Sequence, residues 1–346
     1  MKRSMASFAR LPRVVFSVGG ALLGSLAVST HAQVTIDWVT VGDAGNTADT
    51  APAGRGAVAS SFQIMKYEFT NQLYAEFLNS VAATDTYLLY NASMGSNARG
   101  GITRSGASGS YTYAVKSDFG DKPVNYVSWF DAARVSNWLM NGGTSSSSTE
   151  TGAYTLVGGQ TSGNAPAVNS GATFYVPRED QWYKAAYYKG GSTNAGYWDY
   201  ATQSDSAPAQ VSAGSTGNGS AGSVGNFANS GRGATWNGSR GNVTTVGTNG
   251  GPSAYGAYDM SGNVQEWNDW NGLGGSVIGY GGGDLGFSIS FFSSSGMSSS
   301  APSTEADNFG FRLSAPFAVP EPSTCAMALA GLACGGYSLF RRRRAR

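Results

Sequence analysis

No disulfide can staple the body of this chain, and nothing else in the sequence limits its fold as much. The only two cysteines, Cys325 and Cys334, lie in an apolar run near the C-terminus, and the single histidine, His31, lies behind an apolar N-terminal segment. The residues between them carry no thiol and no imidazole. This excludes Ser-His-Asp and Cys-His catalysis, zinc, copper or iron held by His or thiolate, and haem ligated by those groups. Carboxylates, hydroxyls, amides, a few Lys and Arg, and aromatic rings remain for chemistry.

Glycine supplies 50 of the 346 residues, while charged residues make up 12% and aromatics 12%. That balance fits neither a charge-driven disordered chain nor a coiled coil, and it predicts a folded, loop-rich protein. The formal charge of +1 hides an uneven distribution. Nine of the 22 basic residues stand at the ends, which leaves thirteen against twenty acidic residues between positions 33 and 320. An acidic body without basic clusters repels phosphate backbones, so no nucleic-acid partner and no nucleotide cofactor are expected.

The ends account for their own charge. Lys2, Arg3, Arg10 and Arg13 precede the apolar, small-residue stretch Val14 to Val28, and Thr30-His31-Ala32 offers a cleavage site before Gln33. Residues 1–32 therefore read as a secretory signal peptide for signal peptidase; a retained anchor would need about 20 apolar residues. At the other end, Val319-Pro320-Glu321-Pro322-Ser323 leads into an apolar run from Cys325 to Phe340 and then Arg341-Arg342-Arg343-Arg344. A plain membrane anchor explains the run and the Arg cluster but not the Pro-Glu-Pro. The order of parts over residues 319–346 resembles the PEP-CTERM sorting signal. That resemblance implies an exosortase-type membrane protease as partner, transient anchoring in the inner membrane, and transfer to the cell surface or the extracellular space.

Three stretches of the body predict helices. Thr70 can cap a segment that places Leu73, Tyr74, Phe77, Leu78 and Val81 on one face. Ser128 and Asp131 form a capping-box pattern ahead of Trp129, Ala132, Ala133, Ser136 and Leu139, with Asn141-Gly142 as the stop. Pro177 at a first helical position, with Glu179 and Asp180 in the first turn and Trp182, Ala185 and Ala186 inward, predicts a third that ends before Gly190. The rest reads as short β pieces and long Gly/Ser/Asn connections. Loops of that length in a compact domain are functional or are held by something other than secondary structure.

These helices sit within five collinear blocks. They are Met65-Lys66-Tyr67-Glu68-Phe69-Thr70-Asn71; Pro123-Val124-Asn125-Tyr126-Val127-Ser128-Trp129; Tyr175-Val176-Pro177-Arg178-Glu179-Asp180-Gln181-Trp182; Tyr258-Asp259-Met260-Ser261-Gly262-Asn263-Val264-Gln265-Glu266-Trp267; and Asn308-Phe309-Gly310-Phe311-Arg312. Together they resemble the formylglycine-generating enzyme, or sulfatase-modifying factor, family. The resemblance implies an α+β class: one loop-rich domain of the C-type lectin type over residues 33–318, with few helices, small antiparallel sheets and calcium ions pinning the loops. Trp129, Trp138, Trp182 and Trp267 are assigned to core packing, with a sugar-stacking platform as the alternative.

The chain also departs from the enzymes it resembles. There, a glycine-rich stretch leads into two cysteines that bind copper and activate oxygen; here Gly281-Gly282-Gly283-Asp284 runs on to Ser288-Ile289-Ser290-Phe291-Phe292 without a thiol. Copper-thiolate chemistry needs the sulfur, so oxidase activity is not expected. The calcium residues do carry over: the Asp259 and Glu266 side chains with the Gly262 and Val264 carbonyls, the alternative being ordinary turn residues. A second set would use Asn226 and the Phe227 carbonyl with an Asp near position 238, where this chain has Asn237-Gly238-Ser239-Arg240. Two functions stay open. One is a displayed binding or structural module with a ligand surface near residues 284–308, including Asp284, Phe287, Glu305 and Asp307, for exopolysaccharide or another matrix component. The other is an enzyme of altered chemistry using the carboxylates of Asp284, Glu305 or Asp307, for which a glycosidase-type pair needs about 5–9.5 Å between carboxyl groups.

Overall fold

Local capping signals place the helices where the chain has few other constraints. In the computed structural model, which describes residues 34–317 apart from 53, 270–273 and 287, α1 (Asn71–Val81) begins at Thr70, whose side chain accepts from the Leu73 N–H. A single turn, α2 (Ser93–Ser96), follows without a sequence signal. Helix α3 (Trp129–Met140) opens with the full Ser128–Asp131 capping box and closes at Asn141, as its sequence predicts. Helix α4 (Glu179–Tyr187) starts later than expected and ends, as expected, before Gly190. Its cap is Arg178, so Pro177 stands outside the helix, and it stops at Tyr188, ahead of Gly190. The Pro177 carbonyl instead accepts from the Asp269 N–H at 2.7 Å, a pairing between distant segments that local sequence does not encode. Residues 1–32, expected to be a signal peptide, the Pro320-Glu321-Pro322 motif with its apolar run and Arg cluster, and Phe287 lie outside the described residues.

The strands are short, two to four residues each. Strands β1 (Trp38–Val41), β2 (Phe62–Met65) and β11 (Ser314–Pro316) form an antiparallel sheet with β2 central, so the last strand returns to the first hairpin. Strands β3 (Ile102–Ser105) and β4 (Thr112–Val115) pair as a hairpin, and β5 (Ala209–Gln210) and β6 (Phe227–Ala228) pair parallel. The fourth sheet has the order β10-β7-β8-β9, from β7 (Gln265–Asn268), β8 (Ile278–Gly281), β9 (Ser298–Ser300) and β10 (Phe309–Gly310). Only its β7–β10 edge is parallel. The result is the expected α+β architecture of few helices and small sheets, mostly antiparallel. No helix among the described residues is long and apolar enough to cross a membrane.

Aromatic rings are the largest side chains of the core. Phe77, Trp129, Trp138, Tyr154, Trp267 and Phe311 pack one cluster around α1 and α3, while Trp182, Tyr183 and Tyr187 of α4 pack a second against Phe62 and Ile64 of β2. All four tryptophans assigned to the core are at most 1% exposed, which leaves no face for sugar stacking. Asparagine holds the long connections. Asn71 donates to the carbonyls of Phe119, Lys122 and Pro123, and Asn137 donates to Thr149 O while accepting from the Tyr154 N–H. Each such bond is worth about 0.5–1.5 kcal/mol net and saturates a loop backbone group that no strand could reach.

Candidate functional site

Four of the five blocks converge on one buried polar network. The chain makes a tight turn at Gly262 (φ +93°), where a Cβ would lie 2.5 Å from the Asn229 carbonyl oxygen; only glycine fits. That turn sends the Asn263 side chain inward, where it donates to Glu68 Oε2 at 2.7 Å and accepts from the Thr244 N–H at 2.9 Å. Glu68 Oε1 accepts from the Val264 N–H. On β7, Glu266 accepts from Arg312 Nε at 2.5 Å and Nη2 at 2.6 Å, and from Trp182 Nε1 at 2.8 Å. Arg312 also donates to the carbonyls of Met65 and Tyr258. Asp259 accepts from the Gly247 N–H at 2.5 Å and from Asn249 Nδ2 at 2.8 Å.

Three buried carboxylates thus feel one guanidinium, which bonds Glu266 and acts on Glu68 and Asp259 through its charge. Burial pushes the Glu68 pKa well above the usual carboxylate range, and the charges of Asp259 and Glu266 add to the rise. Asp259 is raised as well, mainly by burial, against the pull of its two N–H donors. Burial and the neighbouring carboxylates both favour the neutral form of Glu68.

The residues assigned to calcium fare unequally. Glu266 is held through both oxygens by the Arg312 guanidinium, a positive charge standing where a cation would have to bind, so Glu266 does not fit an ion in this arrangement, whereas the donors to Asp259 are neutral. Asn226 ties its own loop, accepting from Thr202 Oγ1 and donating to Ser206 O. Asp259 and Phe227, one from each set, do meet: with Asn249 and Ser261 they wall a cavity of about 10 Å³, space for one water or ion. The Ser261 hydroxyl is buried there without a hydrogen-bond partner among the described residues. No three Asp or Glu among those residues are grouped to hold a metal.

The carboxylates assigned to a ligand surface are spent internally. Asp284 accepts from the Gly286 N–H and Asn308 Nδ2, both at 2.6 Å; Glu305 accepts from Asn91 Nδ2 at 2.5 Å; Asp307 pairs with Arg99 Nη1 at 2.5 Å. The open spaces lie elsewhere. A groove of about 480 Å³ runs between the 35–37 segment, the end of β2 and α1, lined by Thr35, Ile36, Asp37, Tyr67, Gln72 and Asp121, with Glu68 on its wall. Another, of about 450 Å³, is bordered by the 168–172 loop, Tyr175, Arg178 and Pro316. Neither groove has a sequence signature, because each is assembled from segments far apart in the chain.

The family model of the sulfatase-modifying factor enzyme 1-like domain matches residues 22–315, and the blocks that build the buried network all lie within that span. The chain belongs to the sulfatase-modifying factor family. Similar solved structures include the crystal structure of CarF (23% identity, TM-score 0.49, 82% of this chain and 99% of that one) and Treponema denticola variable protein 1 (17%, 0.46, 82% and 95%). PvdO from Pseudomonas aeruginosa is similar at 18% identity with TM-score 0.41, covering 82% of this chain and 92% of its own. A search of curated proteins gives no match. A PEP-CTERM protein-sorting motif matches residues 318–344, which implies export, membrane-anchored sorting and processing by an exosortase.

As a member of the sulfatase-modifying factor family, the chain uses its shared blocks as scaffold. Glu68 and Arg312 are the residues whose part the sequence left unassigned. The signal for Arg312 was present in retrospect: it is a lone charge inside the apolar strand-like run Phe309 to Leu313, where a charge is tolerated only with a buried partner, whereas Glu68 follows Lys66 in Met65 to Phe69 and carries no such mark.

Proposed function

We propose that this protein is an exported, surface-displayed binding module of the sulfatase-modifying factor family, without oxidase chemistry, that takes a polyhydroxylated, carbohydrate-type ligand such as exopolysaccharide. The observation that carries this reading is the groove between the 35–37 segment, the end of β2 and α1. It combines a half-buried tyrosine ring, Tyr67, with carboxylates (Asp37, Asp121), hydroxyls (Thr35, Thr70) and an amide (Gln72), the group types that stack on sugar rings and bond their hydroxyls. The lack of any thiol or imidazole in the body argues against the copper chemistry of the enzymes it resembles. Affinity electrophoresis through gels carrying the native host's exopolysaccharide tests it. Wild-type protein should be retarded and Tyr67→Ala should run as in a blank gel; unretarded wild-type protein overturns the reading.

Calcium belongs to this proposal at the small cavity beside Asp259, not at Glu266. Asp259, the chain around Phe227 and the Ser261 hydroxyl, which has no hydrogen-bond partner among the described residues, offer the oxygen donors that a hard cation takes. Binding to the folded state alone stabilises it by about 2.7 kcal/mol at a hundredfold excess over Kd, a rise in Tm of about 5 °C or more. Millimolar calcium should therefore raise the Tm of chelator-treated wild type and leave Asp259→Asn unmoved. Superimposable wild-type melts after verified metal removal would show that the cavity holds only water.

A further inference from the structure

The second groove lies where the folded body gives way to the sorting tail. Pro316, the last residue of β11, forms part of its rim, and β11 is fixed there by reciprocal backbone bonds between Ser314 and Tyr175, at 2.7 and 2.9 Å. Opposite stands Arg178, exposed at the start of α4 and in no ion pair among the described residues. Beyond Phe317 the sequence continues Ala318-Val319-Pro320-Glu321-Pro322, and Glu321 is the only acidic residue after position 307. Five residues from Pro316 to Glu321 reach at most about 17 Å, so Glu321 is tethered within range of the Arg178 guanidinium. A Pro-x-Pro segment favours the extended polyproline conformation and docks in shallow aromatic grooves at low entropic cost; Tyr175 supplies such a ring here.

We propose that the Pro-Glu-Pro segment of this chain docks in the groove formed by the 168–172 loop, Tyr175, Arg178 and Pro316, with Glu321 paired to Arg178. A tether this short gives a local concentration in the millimolar range, so even a weak contact is populated. Docked, the motif is shielded by its own domain, and the exosortase must compete with the body for it. The apolar run beginning at Cys325 follows three residues after Pro322, so docking also fixes the distance between body and membrane.

Hydrogen–deuterium exchange on the full chain in detergent tests the contact through the amides of the 168–172 loop. Glu321→Arg should speed their exchange three- to fivefold, the scale of one exposed ion pair, and Arg178→Glu should do the same. The double swap Arg178→Glu with Glu321→Arg should restore slow exchange, a rescue that only direct pairing produces. Both positions are exposed or lie outside the body, so folding is spared. Equal exchange in wild type and Glu321→Arg, or a double swap no slower than the singles, overturns the proposal. As a second measurement, Arg178→Cys with Glu321→Cys in a Cys325→Ser, Cys334→Ser background should form an intramolecular disulfide on mild oxidation; failure to form it counts equally against the contact.

Discussion

Replacing Arg312 with methionine is expected to destabilise the domain by about 3–5 kcal/mol, because it strips the only cation from a buried group of three carboxylates. The guanidinium is fully buried, holds Glu266 through two nitrogens, and caps the carbonyls of Met65 and Tyr258. Methionine matches its length but none of those donors, so Glu266 is left charged in a dry interior with only the Trp182 N–H for company. For a domain of this size the Tm should fall by about 10 °C or more, read by circular dichroism. Pairing Arg312→Met with Glu266→Met should recover part of the loss, since removing both charges removes the desolvation cost as well. A single variant within 1 °C of wild type would mean that the pair is solvated in solution and does not tie the blocks together.

The second large effect is on pH. Asp131, at the capping box of α3, is pushed up to about 8 by burial, with the charge of Glu305 adding and the Ser128 bonds opposing. Glu68 is raised in the same sense. Unfolded, these carboxyls bind protons only below about pH 4. Between about pH 4 and 8 the folded state therefore holds more protons than the unfolded one, and stability must fall as pH rises, by up to about 1.4 kcal/mol per pH unit for each extra proton. Lys122 and Lys184, lowered to about 8 by burial, act with the opposite sign above that pH, because the unfolded chain keeps its lysine protons to about 10.5. Urea unfolding should show a stability minimum near pH 8. Asp131→Asn keeps an acceptor for the Ser128 N–H, so it should flatten the acid-side slope and gain stability at pH 8. Stability that rises from pH 5 to 8 would contradict this account.

Much of the architecture was legible because it is written locally. The caps at Thr70 and Ser128, the inward faces of α1, α3 and α4, and the burial of four tryptophans follow from spacing and side-chain chemistry over a dozen residues at a time. The start of α4 was misplaced by two residues for the same reason: the proline rule is local, whereas the Pro177 carbonyl answers to Asp269, 92 positions away. That residues 32–324 hold no thiol and no imidazole is likewise plain in the sequence, since no fold can give that segment an atom it lacks.

What only the tertiary structure decided is where charges end up and what is left open. Asp259 and Glu266 look alike as turn and strand acids seven residues apart, yet one borders a small cavity and the other is filled by Arg312, which arrives from 46 residues further on. Asp284, Glu305 and Asp307 read as a free acidic surface until Asn308, Asn91 and Arg99 are brought to them by the fold. A carboxylate's chemistry depends on which donors reach it, and those donors come from remote segments. A linear sequence therefore fixes the kinds of group this protein owns, and only the folded chain determines which of them remain free to bind.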